Sequence, residues 1–290
     1  MGDCAEAQIV EAQSALTRQQ IRLQERALAK RGQAIVSAGL PPTPDKRDIV
    51  AVAFVLVRML RNRNDPHRAV AAAGLIHGLN EVSTRKSPGT AKLACAKGCG
   101  HCCHNWVGAT VPEVLLLAAG VRSAARAKPD LIARIVGRTK ITAGLSRTER
   151  FGAKLPCPLL VDSQCSFYRE RPAVCRQTTS LDLAGCLDEF EGRGYGGEMK
   201  VSSVYLAHAR NSRVPLSAAL RLAGLDMASY ELSAALARAL ERDDTELRWL
   251  AGEDVMAGIA KGPLEEGAGE AVVAIERELA PLMRDAGAGD

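Results

Sequence analysis

Eight cysteines lie close together in the middle of this chain, and they are the residues with the clearest capacity for chemistry. All eight fall within the 92 residues from Cys95 to Cys186, whereas the ninth, Cys4, lies near the start of the chain. Clustered cysteines in a chain whose thiols stay reduced bind metal more often than they form disulfides. The sequence therefore predicts a metal-binding central segment.

The spacing of the first thiols is typical of a metal-binding turn. Cys99-x2-Cys102 lets one short turn present two thiolates to a metal, as in zinc and iron–sulfur sites. Gly98 and Gly100 are expected to take the positive φ that such a turn needs. Cys95 adds a third thiol about one turn earlier in the chain.

The number of thiols exceeds what one metal ion needs. Because Cys102 and Cys103 are adjacent, their side chains tend to diverge, so either the site is polynuclear or one of the pair has another role. Eight thiolates would hold either two zinc ions or an iron–sulfur cluster with spare thiols, and spacing alone leaves both open. His101 and His104 are second-choice ligands or hydrogen-bond donors to the ligating residues. The predicted ligands are Cys95, Cys99, Cys102, Cys103, Cys157, Cys165, Cys175 and Cys186.

Basic residues flank the cysteines in sequence. Nearby cations lower the pKa of thiols and offset the negative charge that several thiolates accumulate. Three arginines of the second cysteine group are therefore expected close to the sulfur atoms. The basic residues in question are Lys92, Lys97, Arg169, Arg171 and Arg176.

The composition predicts a mainly α-helical fold. Alanine and leucine are abundant and aromatic residues make up only 3% of the 290 residues, which suits packed helices better than sheets. An irregular segment rich in proline and glycine holds the cysteines, and helices from both ends are expected to pack around it. The predicted regions are 1–89, 90–191 and 192–290, which can pack as one domain. Their boundaries are the break at Ser87-Pro88-Gly89 and the glycine-rich loop after Gly192.

Helix signals locate several of the elements around the cysteines. A helix is predicted over residues 3–38, and Asp65, followed by Pro66, is predicted to cap another. Thr110 is expected to cap a helix beginning at Val111-Pro112. Beyond residue 201 the pattern predicts separate helices at 201–211, 216–223, 226–241, 244–259 and 264–284.

Charge and hydropathy bear on partners and location. The net charge is +5, but lysines and arginines are spread along the chain, so a nucleic-acid partner is not favoured. No secretory signal is visible, and the longest apolar run, Ile49–Val57, is too short to span a bilayer. We therefore expect a cytoplasmic protein without a membrane partner.

The cysteine motifs also resemble a known family. The run Cys95-x3-Cys99-x2-Cys102-Cys103, followed by Cys157-Pro158-Leu159-Leu160, Cys165-Ser166-Phe167-Tyr168, Arg171-Pro172 and Cys175-Arg176, is similar to the YkgJ-type cysteine-cluster family. The resemblance covers about residues 90–190 and implies a zinc- or iron-chelating domain. Two features depart from the family pattern: the first gap has three residues rather than two, and Gln177-Thr178 replaces frequent aromatic residues.

The resemblance implies metal binding more directly than any reaction. It favours a metal-binding protein that holds an iron–sulfur cluster, with zinc as the next choice. The alternative is an S-adenosylmethionine-dependent protein lysine N-methyltransferase resembling the flagellin N-methylases, whose substrate would be a protein. Gly196-Gly197-Glu198 resembles a motif of radical S-adenosylmethionine enzymes, but the strand–helix alternation of their barrel is missing. Redox chemistry at the Cys102–Cys103 pair is a third hypothesis.

Overall fold

The structure, a computed structural model, describes residues 16–87, 93–192, 200–262 and 268–283. As the composition predicts, the fold is mainly α. Several features of the sequence analysis lie outside these residues. They are the predicted segment before residue 16, the break at Pro88-Gly89, Lys92, the glycines at 194, 196 and 197 with Glu198, and the C-terminal tail. The helices of the described residues are α1 (Arg18–Ala38), α2 (Lys46–Arg61), α3 (Arg68–Lys86), α4 (Val111–Ala125), α5 (Leu131–Thr142), α6 (Arg147–Gly152), α7 (Ala173–Gln177), α8 (Leu183–Glu191), α9 (Ser203–Leu222), α10 (Leu232–Leu240), α11 (Thr245–Leu250) and α12 (Ala268–Met283).

Two small antiparallel sheets complete the secondary structure of this part of the chain. Strand β1 (Gly108–Thr110) pairs with β4 (Ser229–Glu231), so that Gly108 lies opposite Glu231. Strands β2 (Leu160–Val161) and β3 (Gln164–Cys165) form a hairpin inside the cysteine segment. The first sheet therefore joins the entry to α4 with the entry to α10.

A side-chain cap explains where α1 begins, whereas α3 begins without one. The Thr17 side chain accepts a hydrogen bond from the backbone N–H of Gln20, and the Gln20 side chain bonds back to Thr17, so α1 begins at Arg18. The prediction of one helix from residue 3 is therefore wrong at Leu16 and Thr17. Asp65 does not cap α3, because its carboxylate accepts a hydrogen bond from His67 in the preceding turn (2.9 Å).

Several predicted helices in the C-terminal region differ from the structure. The predicted helices 201–211 and 216–223 are one helix, helix 226–241 begins later, and helix 244–259 ends at Leu250. Helix α9 runs unbroken through Pro215, since Val214 and Leu216 on either side of the proline are buried and their packing offsets the lost backbone hydrogen bond. The start of the predicted helix 226–241 is instead strand β4, in which Tyr230 is buried. Glu231 then caps α10 by accepting a hydrogen bond from Ala234 (2.7 Å).

The helices share a large apolar core. Its buried residues come from α2, α3, α4, α5, α9, α10 and α11 and include Leu56, Ile76, Leu117, Ile135 and Leu236, each no more than 1% exposed. A smaller cluster joins α2 and α9 to α12. The large core takes residues from all three predicted regions, so the helical flanks pack directly on the segment that holds the cysteines.

Helix α4 is the element that brings the cysteine segment onto this core. It packs between α3 and α10, with Val114, Leu117 and Val121 fully buried. The predicted cap at Thr110 is confirmed, and Glu113 closes the reciprocal hydrogen bonds. No helix in the described parts of the chain is long and apolar enough to cross a membrane.

Candidate metal centre

The first four cysteines lie on a tight loop that ends in a 3-10 turn, His101–His104. The loop is closed by backbone hydrogen bonds from Cys99 to Ala96 (3.0 Å) and from Cys103 to Gly100 (3.0 Å). Gly98 has φ +90°, as predicted, which explains why glycine stands there. These hydrogen bonds turn the chain so that the thiols of the first four cysteines can lie on the same side of the loop.

Gly100 is needed for its small size rather than for an unusual backbone conformation. Its φ is −110°, so the expected positive φ is wrong at this residue. A Cβ added at Gly100 would lie 3.2 Å from a methyl carbon of Leu160 in the β2–β3 hairpin. The absence of a side chain lets the hairpin approach the first cysteine loop closely.

The hairpin carries Cys165, and the turn that leads into it carries Cys157, whose backbone ties this segment to the first loop. The N–H of Cys157 donates to the carbonyl of Cys103 at 2.7 Å. Asp162 and Ser163, with φ of +49° and +58°, form the two-residue turn that returns the chain to Cys165. Sequence positions 103 and 157 are thereby brought into direct contact.

The last two cysteines lie on short helices, Cys175 on α7 and Cys186 on α8. Ser180, between these helices, donates its backbone N–H to the Cys95 sulfur (3.3 Å). The Ser180 carbonyl accepts a hydrogen bond from Ala94 (2.8 Å). The chain after Cys175 is thus held against the residues that precede the first cysteine loop.

All eight clustered cysteines line one cavity of about 750 Å³. Cys95 is exposed and the other seven are partly accessible, because the cavity opens to the surface. Four basic residues line the same cavity, but none of its described lining residues is an aspartate or a glutamate. The donor set is therefore almost wholly thiol, which favours soft metals such as zinc and the iron of iron–sulfur clusters. The basic residues are Lys97, Arg147, Arg150 and Arg171.

The thiols surround the cavity rather than converging on one point. Among the described residues, no three Cys, His, Asp or Glu side chains lie close enough together to hold a single metal ion. A tetrahedral zinc site needs its sulfur atoms at about 2.3 Å from one centre. The residue types fit a soft metal centre, whereas their arrangement is wider than one zinc ion requires.

Cys102 and Cys103 form an interacting pair. A hydrogen bond from Cys103 lowers the pKa of Cys102 to about 7, against the opposing effect of burial and with help from the charge of Arg171. The same hydrogen bond, together with burial, raises the pKa of Cys103. Cys102 is therefore the member of this pair that ionises first and is about half thiolate near pH 7, whereas Cys103 stays protonated.

The deeper thiols are held in their protonated form by burial. Burial raises the pKa of Cys157 to about 11, and burial is also the main cause that raises the pKa of Cys175. The charges of Cys157, Cys165 and Cys102 raise the pKa of Cys175 further, which places these four thiols near one another. The side chains of Cys157 and Cys175 keep some solvent accessibility because they face the cavity, although they lie deep in the protein.

A second, outer group of thiols lies nearer the surface. After burial, the largest causes that raise the pKa of Cys186 are the charges of Cys99 and Cys95. Helix α8, which carries Cys186, packs against the 3-10 turn of the first loop. The eight cysteines thus divide into an inner group of five around Cys175 and an outer group of three. The inner group is Cys102, Cys103, Cys157, Cys165 and Cys175, and the outer group is Cys95, Cys99 and Cys186.

The two histidines of the motif do not line the cavity. The rings of His101 and His104 pack against Phe190 of α8, with ring centroids 4.8 and 4.9 Å apart. The Nδ1 atom of His104 lies 3.2 Å from the carbonyl oxygens of Gly100 and His101, so this nitrogen bonds the turn of its own loop. The histidines thus connect α8 to the first cysteine loop and do not line the cavity that the thiols share.

The three arginines of the second cysteine group have different positions. Arg171 lines the cavity, stacks on the Tyr168 ring at 3.7 Å and lowers the pKa of Cys102. Arg176 instead donates hydrogen bonds to the backbone carbonyls of Arg171 and Arg169. Of these arginines, only Arg171 lines the cavity, so its charge is the one that faces the thiols.

Glu113 positions the cysteines although sequence reasoning assigned it no role there. It is 2% exposed, and its carboxylate accepts hydrogen bonds from Ala173 at the start of α7 (2.8 Å) and from the Thr110 side chain (2.8 Å). His77 lies 3.5 Å from the same carboxylate. The available signal was the Thr110-x-x-Glu113 capping pattern, but the contact with α7 crosses 60 residues and leaves no local trace.

A buried ion pair forms another wall of the cavity. Arg150 is 2% exposed and donates to Glu231 (2.5 Å) and to the Ser233 hydroxyl (3.2 Å). The two charges also act on Cys157 in opposite directions. No sequence pattern links positions 150 and 231, so this pair could be found only from the structure.

Comparison with known proteins bears on this segment. Residues 94–193 match the model of the CxxCxxCC family, which is described as a putative zinc- or iron-chelating domain. Comparison with curated proteins found no match, and comparison with solved structures found none either. The match contains all eight cysteines that line the cavity. The match therefore agrees with the resemblance carried by the cysteine motifs and supports a zinc- or iron-chelating role for residues 94–193.

Proposed function

We propose that this cavity holds an iron–sulfur cluster through four thiolates of the inner group. The observation that carries the proposal is that eight thiols line one cavity without converging on a single point. In an iron–sulfur cluster the thiolates are distributed over several iron atoms, whereas in a zinc site all ligands surround one ion. The wide arrangement of the sulfur atoms therefore supports a cluster over an isolated zinc ion.

The inner group supplies the four candidate ligands. Cys102, Cys157, Cys165 and Cys175 interact electrostatically with one another, and Arg171 faces them. Cys103 donates a hydrogen bond to Cys102, as residues beside cluster ligands do when they stabilise the sulfur charge. When bound, the cluster would supply one-electron redox chemistry, and the protein would hold it beside an open cavity.

The test is metal analysis of protein purified without oxygen. We expect iron with acid-labile sulfide and a broad visible absorption band, both of which are lost on oxidation of the cluster. Zinc in a colourless protein would contradict the cluster and favour a structural metal site. Protein with neither metal, after reconstitution with iron and sulfide has also failed, would contradict the whole proposal.

Methyl transfer from S-adenosylmethionine has weaker support from the cavity. The described lining contains no carboxylate to bind the amino group or the ribose hydroxyls of that cofactor. The described sheets are two-stranded and antiparallel, unlike the β/α barrel of the radical enzymes. Calorimetric titration with S-adenosylmethionine decides this alternative, and we expect no saturable binding.

A further inference from the structure

The cavity is much larger than a metal site alone requires. A sphere with the zinc–sulfur distance as its radius encloses only about 50 Å³, against a cavity of about 750 Å³. Cavities that bind small organic molecules range from about 300 to 1,000 Å³. Even a cluster several times larger than one ion leaves space for a second ligand.

One side of the cavity is built from residues outside the cysteine motifs. We call it the Trp106 wall, and its contacts make it continuous. Arg147 stacks on the Trp106 ring at 4.7 Å, Leu232 donates its backbone N–H to Val107 (2.9 Å), and Arg150 bonds the Ser233 hydroxyl (3.2 Å). The wall consists of Trp106, Val107, Arg147, Arg150, Leu232 and Ser233, all of which line the cavity.

The charges on this wall are unbalanced. Arg150 is neutralised by Glu231, with which it forms a buried ion pair. Among the described residues, Arg147 forms no ion pair with an aspartate or a glutamate. None of the described aspartates and glutamates lines the cavity either. A guanidinium stacked on an aromatic ring keeps its N–H edge free to bind a carboxylate through two hydrogen bonds. Arg147 is thus an available anion-binding group beside an apolar surface.

We propose that the Trp106 wall binds a small organic carboxylate with an apolar body. Arg147 holds the carboxylate, and the apolar body packs on Trp106, Val107 and Leu232 between the wall and the thiols. This arrangement would place the ligand beside the proposed cluster, so the inference extends the proposed function by naming the class of molecule that enters the cavity. Binding itself depends on the wall alone.

The experiment uses the tryptophan of the wall as a reporter. The chain has two tryptophans, and Trp249 is buried and does not line the cavity. With indole nitrogens labelled with ¹⁵N, the protein as isolated gives two signals, which the Trp249→Phe variant assigns. We expect benzoate to shift the Trp106 signal saturably, to leave the Trp249 signal in place, and to bind about tenfold more tightly than neutral benzamide.

Arg147→Gln is the decisive variant. It should lose the preference for benzoate over benzamide, whereas Arg134→Gln, at an exposed arginine of α5 outside the cavity, should keep it. An unchanged Trp249 signal shows that the variant is folded. Equal binding of the two probes by the unmodified protein, unchanged preference in Arg147→Gln, or the absence of any shift at saturating benzoate would overturn the inference.

The metal content of the same samples separates this inference from the proposed function. Benzoate binding in protein that lacks iron would leave the carboxylate site intact and contradict only the cluster. Iron with sulfide in protein that ignores benzoate would contradict only the carboxylate site.

Discussion

The carboxylate of Glu113 accepts the backbone N–H of Ala173 at 2.8 Å, two residues before Cys175. This contact fixes the start of α7 to α4, and therefore fixes one inner thiol to the core of the protein. The hydrogen bonds from His77 and the two backbone N–H groups outweigh burial and lower the pKa of Glu113 to about 2. A carboxylate that is not itself a candidate ligand thus positions the candidate metal centre.

Replacement of Glu113 by glutamine should destabilise the protein in a pH-dependent way. The free energy of unfolding should fall by about 2 kcal/mol at pH 7, because the amide cannot accept all of the hydrogen bonds. A lowered pKa stabilises the fold above the ordinary value of 4.5, and this stabilisation is lost as the pH falls toward 2. The difference from the unmodified protein should therefore be about 1 kcal/mol smaller at pH 4 than at pH 7. Urea unfolding at both values measures it, with exposed Glu270→Gln as the control, and a pH-independent difference would contradict the assignment.

Cys102 should be the most reactive thiol of the inner group in metal-free protein. With a pKa of about 7 it is about half thiolate at neutral pH, whereas Cys157, with a pKa of about 11, is almost wholly protonated. Brief treatment with iodoacetamide at pH 7, followed by peptide mass spectrometry, should label Cys102 at least about tenfold faster than Cys157. Cys103→Ala should slow this labelling because it removes the hydrogen bond, and Cys186→Ala should not. Equal labelling of Cys102 and Cys157 would argue against the Cys102–Cys103 pair.

Serine at an inner cysteine should affect metal binding more than serine at an outer one. Cys175→Ser removes a thiol that interacts with three other inner thiols, so we expect most of the bound iron to be lost. Cys95→Ser changes an exposed thiol of the outer group and should keep most of the iron. Iron per chain, measured by elemental analysis after anaerobic purification, compares the two. The reverse order would show that the outer group holds the metal.

The buried pair of Arg150 and Glu231 should be sensitive to the loss of one partner. Glu231→Gln leaves the Arg150 charge buried without a counter-charge, and we expect the free energy of unfolding to fall by about 3 kcal/mol. The matched control is Glu253→Gln, which breaks the exposed pair with Arg248 and should cost less than about 1 kcal/mol. Thermal and urea unfolding give both values, and a similar cost for the two variants would show that burial of the pair contributes little.

Alanine substitutions at two glycines separate backbone strain from crowding. At Gly98, with φ +90° and no atom within 4 Å of an added Cβ, alanine should destabilise the cysteine loop by about 1 kcal/mol. Gly137 in α5 also has open space around it, but its backbone is helical, so alanine there should stabilise the protein by about 0.5–1 kcal/mol. Urea unfolding compares the two variants. Stabilisation by Gly98→Ala would contradict a strained loop.

The sequence allowed the helical fold and the CxxCxxCC segment to be predicted because both depend on local patterns. Alanine- and leucine-rich stretches form helices in most contexts, and Thr110 with Glu113 marks a helix start within four residues. The continuous helix through Pro215 was missed because tertiary packing overrides the local effect of a proline. The prediction of eight ligands stays a prediction, although the structure brings all eight thiols to one cavity.

The contacts that organise the cavity were beyond sequence reasoning because they join distant positions. Glu113 reaches Ala173 across 60 residues, and Arg150 reaches Glu231 across 81. Separations of this length follow no helical or strand period, so no local pattern relates the members of either pair. The Trp106 wall likewise forms only when the β1–β4 sheet brings Val107 next to Leu232.

Because α4 shares one core with the flanking helices, the cysteine segment depends on those helices for its fold. Helix α4 buries Val114 and Leu117 against α3 and α10, which lie outside residues 94–193. A fragment limited to the matched residues would expose this apolar face to water and lose the support of its cysteine loops. We therefore expect the segment to fold and function only together with flanking helices of this kind, and not as an independent domain that can be transferred to another protein.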